Sequence, residues 1–147
     1  MSPSLWTAIL ATDAAAVVGV GYVLFVASAD PQQAQASAGR ELYVANCAKC
    51  HGADLEGQPD WKRRNENGRL PAPPHDETGH TSHHSDKQLF TITKFGLGAI
   101  APGYESDMPA FERILTDDEI RSILEYIKST WLVRARDYQA ERSRADP

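Results

Sequence analysis

This 147-residue chain is poor in sulfur and, at its amino end, in charge. It contains two cysteines and two methionines. No Lys or Arg precedes Arg40, and Asp13 and Asp30 are the only charged side chains before it. Lys and Arg total 15 against 20 Asp and Glu, a formal net charge of −5. A nucleic-acid partner favours a basic surface, so this balance argues against one. No internal repeat and no convincing strand is present. The expected class is all-α.

The long apolar run at the amino end is "LWTAILATDAAAVVGVGYVLFVAS", Leu5 to Ser28, in which Asp13 is the one charged side chain. A helix needs about 20 apolar residues to cross a bilayer, so this run can span. It exceeds the roughly 7–15 apolar residues of a secretory signal and lacks the basic flank of one. The expectation is a retained transmembrane anchor over residues 1–29, amino end inside. The alternative is cleavage at "ASA" before Asp30 or "AQA" before Ser37, leaving a soluble periplasmic protein. A carboxylate such as Asp13 costs on the order of 3 kcal/mol within a span and normally faces protein. Ala15 and Gly19 add a small-xxx-small spacing suited to close helix packing. Together they suggest a partner transmembrane helix near Asp13.

Residues 30–38, "ADPQQAQASA" with its Ala29 flank, read as a polar linker without apolar periodicity. Fully extended, about ten residues reach at most ~35 Å, so a tethered head has a nearby partner. The folded domain is expected over 39–131. "GRELYVANCAKCH" reads as a helix, with Leu42, Tyr43, Val44, Cys47 and Cys50 near helical spacing. A long loop rich in Pro and Gly follows. "SDKQLFTITKFG" reads as a second helix capped by Ser85 or Asp86 and stopped at Gly96. In "TDDEIRSILEYIKSTW", Thr116 and Glu119 have capping-box spacing. Ile120, Ile123, Leu124, Ile127 and Trp131 form its apolar stripe. The tail, 132–147, is polar and is expected to extend this last helix before fraying. Three short helices and two long loops make a poor core, so a large apolar cofactor is expected to fill the middle.

Both cysteines lie in "CAKCH", residues 47–51. A C-x-x-C pair serves as a redox dithiol, as half a zinc site or as the anchor of a c-type haem. The dithiol reading needs a βαβ pattern, which is missing. The zinc reading needs two further ligands. His80 and His83 could nominally supply them, but at about twice the usual finger spacing of roughly 12–15 residues. The haem reading uses every group. Cys47 and Cys50 lie about one helical turn apart and face the same side. They can form two thioethers to one haem c, and His51 then offers its imidazole to the iron. Attachment takes place outside the cytoplasm, which the preceding apolar segment satisfies.

On these residues the chain resembles the class I c-type cytochromes, the monohaem bacterial ones in particular, from Gly39 to about Trp131. "SDMPAF" and "LTDDEIRSILEYIKS" extend the match. The resemblance implies that Met108, followed by Pro109, is the sixth iron ligand; Met1 is the only other methionine. It implies that Gly39 and Tyr43 of the first helix cross Ile123 and Tyr126 of the last. It implies that a proline carbonyl of "LPAPPHD", from Pro73 or Pro74, accepts the Nδ1–H of His51. Each residue also has a plain structural reading: Met108, Tyr43 and Tyr126 as core, Trp61 and Tyr104 as loop packing rather than haem edge. His75, His80, His83 and His84 fall within ten residues. They form a solvated loop, replace Met108 on the iron, or bind a second metal with Asp76.

The function expected from these features is a one-electron carrier, not an enzyme. Its haem domain would stand on the periplasmic side, serving respiratory or photosynthetic membrane complexes. By resemblance to anchored cytochromes, these are a quinol-oxidising complex and a terminal oxidase. Two other readings stay open. One is a fixed cytochrome c subunit of a larger membrane oxidoreductase. The other is a haem enzyme or gas sensor with a labile sixth ligand.

Overall fold

Local capping chemistry places the helices of the domain. In this computed structural model, residues 31–147 are described, the side chains of 31 and 32 excepted. Helix α1 is Pro31–Asn46, α2 the single turn Ala48–His51, α3 Asp86–Phe95, α4 Asp117–Ser129 and α5 Val133–Ala145. Short 3-10 turns lie at Thr81–His83 and Leu97–Ala99. The described residues contain no strand. The apolar run Leu5–Ser28 and the anchor expected there lie outside the described residues. Among those residues no helix is long and apolar enough to cross a membrane.

Helix α4 starts at a reciprocal capping box. The Glu119 N–H donates to Thr116 Oγ1 (3.3 Å), and the Thr116 N–H donates to the Glu119 carboxylate (2.7 Å). Helix α3 has the same device from Ser85 and Gln88. Such a box satisfies two amides that the helix itself leaves without partners. The stripe of α4 is buried as its spacing predicts: Ile120, Ile123, Leu124 and Ile127 are all core residues, with Trp131 just beyond. Tyr43 from α1, Leu89 from α3, and Leu55, Phe111 and Leu115 from the loops complete this core.

Helices α1 and α4 cross where α1 has no side chain. A Cβ on Gly39 would stand 1.9 Å from the Ser122 carbonyl oxygen and 3.0 Å from Tyr126 Cβ. One helical turn on, the Tyr43 and Tyr126 rings meet at 5.4 Å. Gly39→Ala therefore forces the two helices apart. We expect it to cost about 2–3 kcal/mol, the scale of overpacking a tight core. The midpoint of denaturant unfolding measures this, and an unchanged midpoint contradicts the close crossing.

Three features depart from the sequence expectation. Helix α1 starts at Pro31, inside the segment read as a linker. Pro suits the first helical position, and the Gln and Ala that follow favour helix without any apolar stripe. The helix expected to run through 39–51 breaks at Cys47, whose φ of −116° interrupts it before α2. The polar tail does not prolong α4. That helix stops at Ser129, and the tail forms the separate helix α5. Helix α5 packs on the Thr81–His83 turn and on α3 through polar groups. Gln139 is 3% exposed and donates to Asp86 Oδ1 (3.0 Å). Ser143 Oγ accepts from the Asp86 N–H, and Asp146 accepts from the Ser85 hydroxyl. A buried amide is tolerable because it is hydrogen-bonded.

Candidate functional site

The site is built on the short turn after α1. The His51 N–H donates to the Cys47 carbonyl (2.9 Å), as does that of Cys50 (3.1 Å), which closes residues 47–51 into one turn. Cys47 is half-buried, Cys50 exposed, and neither is in a disulfide. Burial, and to a lesser degree Cys50 beside it, pushes the Cys47 thiol up to about 11. A dithiol built for exchange lowers the pKa of its attacking thiol, so this environment speaks against redox exchange.

His51 is 7% exposed. Its Nδ1–H donates to the Pro73 carbonyl at 2.9 Å. Burial lowers its pKa, and the bond to Pro73 opposes this in part. The ring is held neutral with its proton on Nδ1, so Nε2 keeps a lone pair. A second partner that fixes tautomer and ring orientation is what a ligating imidazole requires. After His51 the chain turns away through Gly52, at a φ of +81° that an L side chain rarely adopts. The Tyr43 hydroxyl donates to the Gly52 carbonyl (2.8 Å), tying the turn to the α1–α4 crossing.

Pro73 is presented by a loop folded back beneath the turn. The His75 N–H donates to the Leu55 carbonyl, and the Gln58 N–H to that of Ala72. The Pro74 carbonyl lies elsewhere and accepts from the Thr81 hydroxyl (3.4 Å). Of the two prolines, then, Pro73 is the one that meets His51.

Met108 is half-buried and borders the same apolar core as Cys47. Its N–H donates to Ser106 Oγ (3.1 Å). Downstream, the N–H groups of Phe111 and Glu112 donate to the Thr93 and Lys94 carbonyls, fixing the loop to the end of α3.

The histidines do not converge. The His75 ring lies on that of His51, centroids 4.0 Å apart and 19° from parallel. His75 Nδ1 is 2.9 Å from Thr81 Oγ1, and its carbonyl accepts from Trp131 Nε1–H (2.7 Å). His80 stacks on Trp61, His83 meets Tyr138 edge-on, and His84 Nδ1 is 3.3 Å from Gln88 Oε1. Among the described residues no three His, Cys, Asp or Glu side chains gather as a metal site. His80 and His84 meet edge-on at 5.5 Å, but no third ligand joins them and the Asp76 carboxylate accepts from Thr78, so the second-metal reading with Asp76 finds no ligand set. The sequence reading missed the role of His75, which braces the His51 ring from one side. Its only signal was its place directly after Pro73 and Pro74.

Two free thiols on one turn, followed by a neutral, oriented imidazole, fit the attachment of a c-type haem. The protein class defined by this fold and site is a haem c protein. The family model described as Cytochrome c matches residues 36–131. The chain belongs to the cytochrome c family. Membership implies covalently bound haem c, and Cys47, Cys50 and His51 form the C-x-x-C-H motif for it. Two sequences of the Cbb3-type cytochrome c oxidase subunit CcoP from Rhodobacter capsulatus are 25% identical over 111 residues. The alignment covers 75% of this chain but only 34% of those relatives. No solved structure matches.

Proposed function

We propose that this protein passes single electrons between membrane-bound respiratory complexes through one haem c ligated by His51 and Met108. When bound, haem c supplies a one-electron iron couple. The chain's own residues set the terms of that couple. Cys47 and Cys50 tether the group, His51 offers Nε2, and Pro73 and His75 prevent the imidazole from rotating. Met108 would complete the ligand set with a soft thioether that favours the reduced state. A site closed in this way has no place for a substrate, so the protein acts as a carrier rather than an enzyme. The observation that carries this reading is the His51–Pro73 hydrogen bond on a C-x-x-C-H turn.

A terminal oxidase is the favoured partner, and a fixed oxidase subunit is the second reading. Both draw on the similarity to CcoP. In either case Leu5–Ser28 anchors the protein with its haem domain on the periplasmic side, and Asp13 faces a partner helix. Purification from membranes in mild detergent, with wild type and Asp13→Leu in parallel, tests this. The wild type is expected to show a one-electron redox titration, to resist carbon monoxide and to bring an oxidase with it. Asp13→Leu is expected to lose the oxidase and keep its haem. Carbon monoxide binding by the wild type would favour the sensor reading. An amino terminus at Asp30 or Ser37 would end the anchored reading.

A further inference from the structure

We propose that Arg69 is a positioning residue that clamps the Met108 loop; the proposal rests on Met108 being the sixth ligand. Residues 58–72 and 101–110 are stretches without helix, 38 positions apart at their point of contact. Two cationic side chains join them immediately before Met108. The Arg69 guanidinium donates through Nη1 to Asp107, and its Nε lies 3.7 Å from the Glu105 carboxylate. The Arg64 guanidinium stands over the Tyr104 ring, 5.8 Å from its centroid. Tyr104, Glu105 and Asp107 thus all receive a cation from the same turn.

That turn is stiff enough to serve as a clamp. Asn65 Oδ1 accepts from the N–H groups of Asn67 and Arg69, both at 3.0 Å. The Asn65 N–H donates back to the Arg69 carbonyl at 2.8 Å, and Arg64 bonds the Gly68 carbonyl at 2.6 Å. On the other side, Ser106 Oγ accepts the Met108 N–H. The clamp therefore ends one hydrogen bond from the ligand's own backbone. Arg69 Nε is shielded from solvent and has no hydrogen-bond partner, so the guanidinium is partly desolvated on that edge. The two carboxylates are largely exposed, which leaves the clamp open to screening by salt. Such an arrangement does little for global stability. It acts on the local opening that lets Met108 leave, which is governed by the loop's few contacts.

Imidazole binding to the ferric holoprotein reads that opening, because imidazole must displace Met108. Arg69→Gln is expected to raise imidazole affinity roughly three- to fivefold, the scale of an exposed ion-pair network. Arg69→Lys should restore most of the wild-type value, and high salt should narrow the gap between wild type and Arg69→Gln. The methionine-to-iron charge-transfer absorption should persist without imidazole in all variants. If Arg69→Gln does not assemble, Asp107→Asn combined with Glu105→Gln removes the same pairs from the exposed side and should give the same rise. Unchanged imidazole affinity with that absorption intact overturns the clamp alone. A wild type that lacks the absorption and binds imidazole as Met108→Ala does overturns the ligand reading and the clamp with it.

Discussion

Met108→Ala is expected to bind carbon monoxide and to have a midpoint potential lower by on the order of 0.1–0.2 V, within the ~0.8 V that axial ligands span. The thioether of methionine is soft and stabilises Fe(II) more than Fe(III). Removing it leaves a harder oxygen ligand or an open position, so the oxidised state gains. The methionine charge-transfer absorption should vanish from the ferric spectrum, while haem attachment is retained through Cys47 and Cys50. No second methionine lies in the domain, since the other is Met1. An unchanged spectrum and potential would turn attention to the histidines. Their neighbours make them poor substitutes. His75 lies on His51, His80 on Trp61 and His83 against Tyr138. Any of them would have to leave its present ring partner to reach an axial position.

Loss of both cysteines should have the larger effect. For Cys47→Ala/Cys50→Ala, recovery of haem-containing protein should fall by on the order of tenfold or more, because a covalent tether holds its group at an effective concentration in the mM range. Either single variant keeps one tether and should be less impaired. The distribution of apolar surface gives a reason to expect this. That core gathers around the α1–α4 crossing, with Tyr43, Ile120 and Ile123 fully buried. Towards the loops, Phe95 is 48% and Ile100 38% exposed. A domain with two long loops needs further apolar surface to pack against. Haem yield per milligram of purified chain, from cells competent in haem attachment, measures the difference. An equal yield from the double variant would contradict covalent attachment as the basis of haem retention.

What could be read in advance followed from local chemistry. The capping boxes at Thr116 and at Ser85 show as a hydroxyl followed three residues later by Glu or Gln, and both are formed. The stripe Ile120, Ile123, Leu124 and Ile127 has helical spacing and is buried. The C-x-x-C-H turn needs no tertiary information, since five residues contain its chemistry. Features set by distant partners were harder to foresee. Helix α5 docks through Gln139, Ser143 and Asp146, and polar docking leaves no apolar period in the sequence. The start of α1 at Pro31 was hidden for the same reason: its early turns carry Gln and Ala rather than an apolar stripe. The choice between Pro73 and Pro74 depended on which carbonyl the loop turns toward His51. The stack of His75 on His51 depends on that same loop path, so "PPHD" alone could not reveal it. The Arg69 clamp joins residues 38 apart, and only the folded loops bring them together.

The central claim is that one haem is bound covalently through Cys47 and Cys50. The most direct measurement is the intact mass of the purified, denatured wild type after acid–acetone extraction. The expected result is the mass of the polypeptide plus one haem, with both thioether bonds mapping to the Cys47–His51 peptide. A colourless chain at the bare polypeptide mass, from cells that attach haem to other proteins, would contradict the claim.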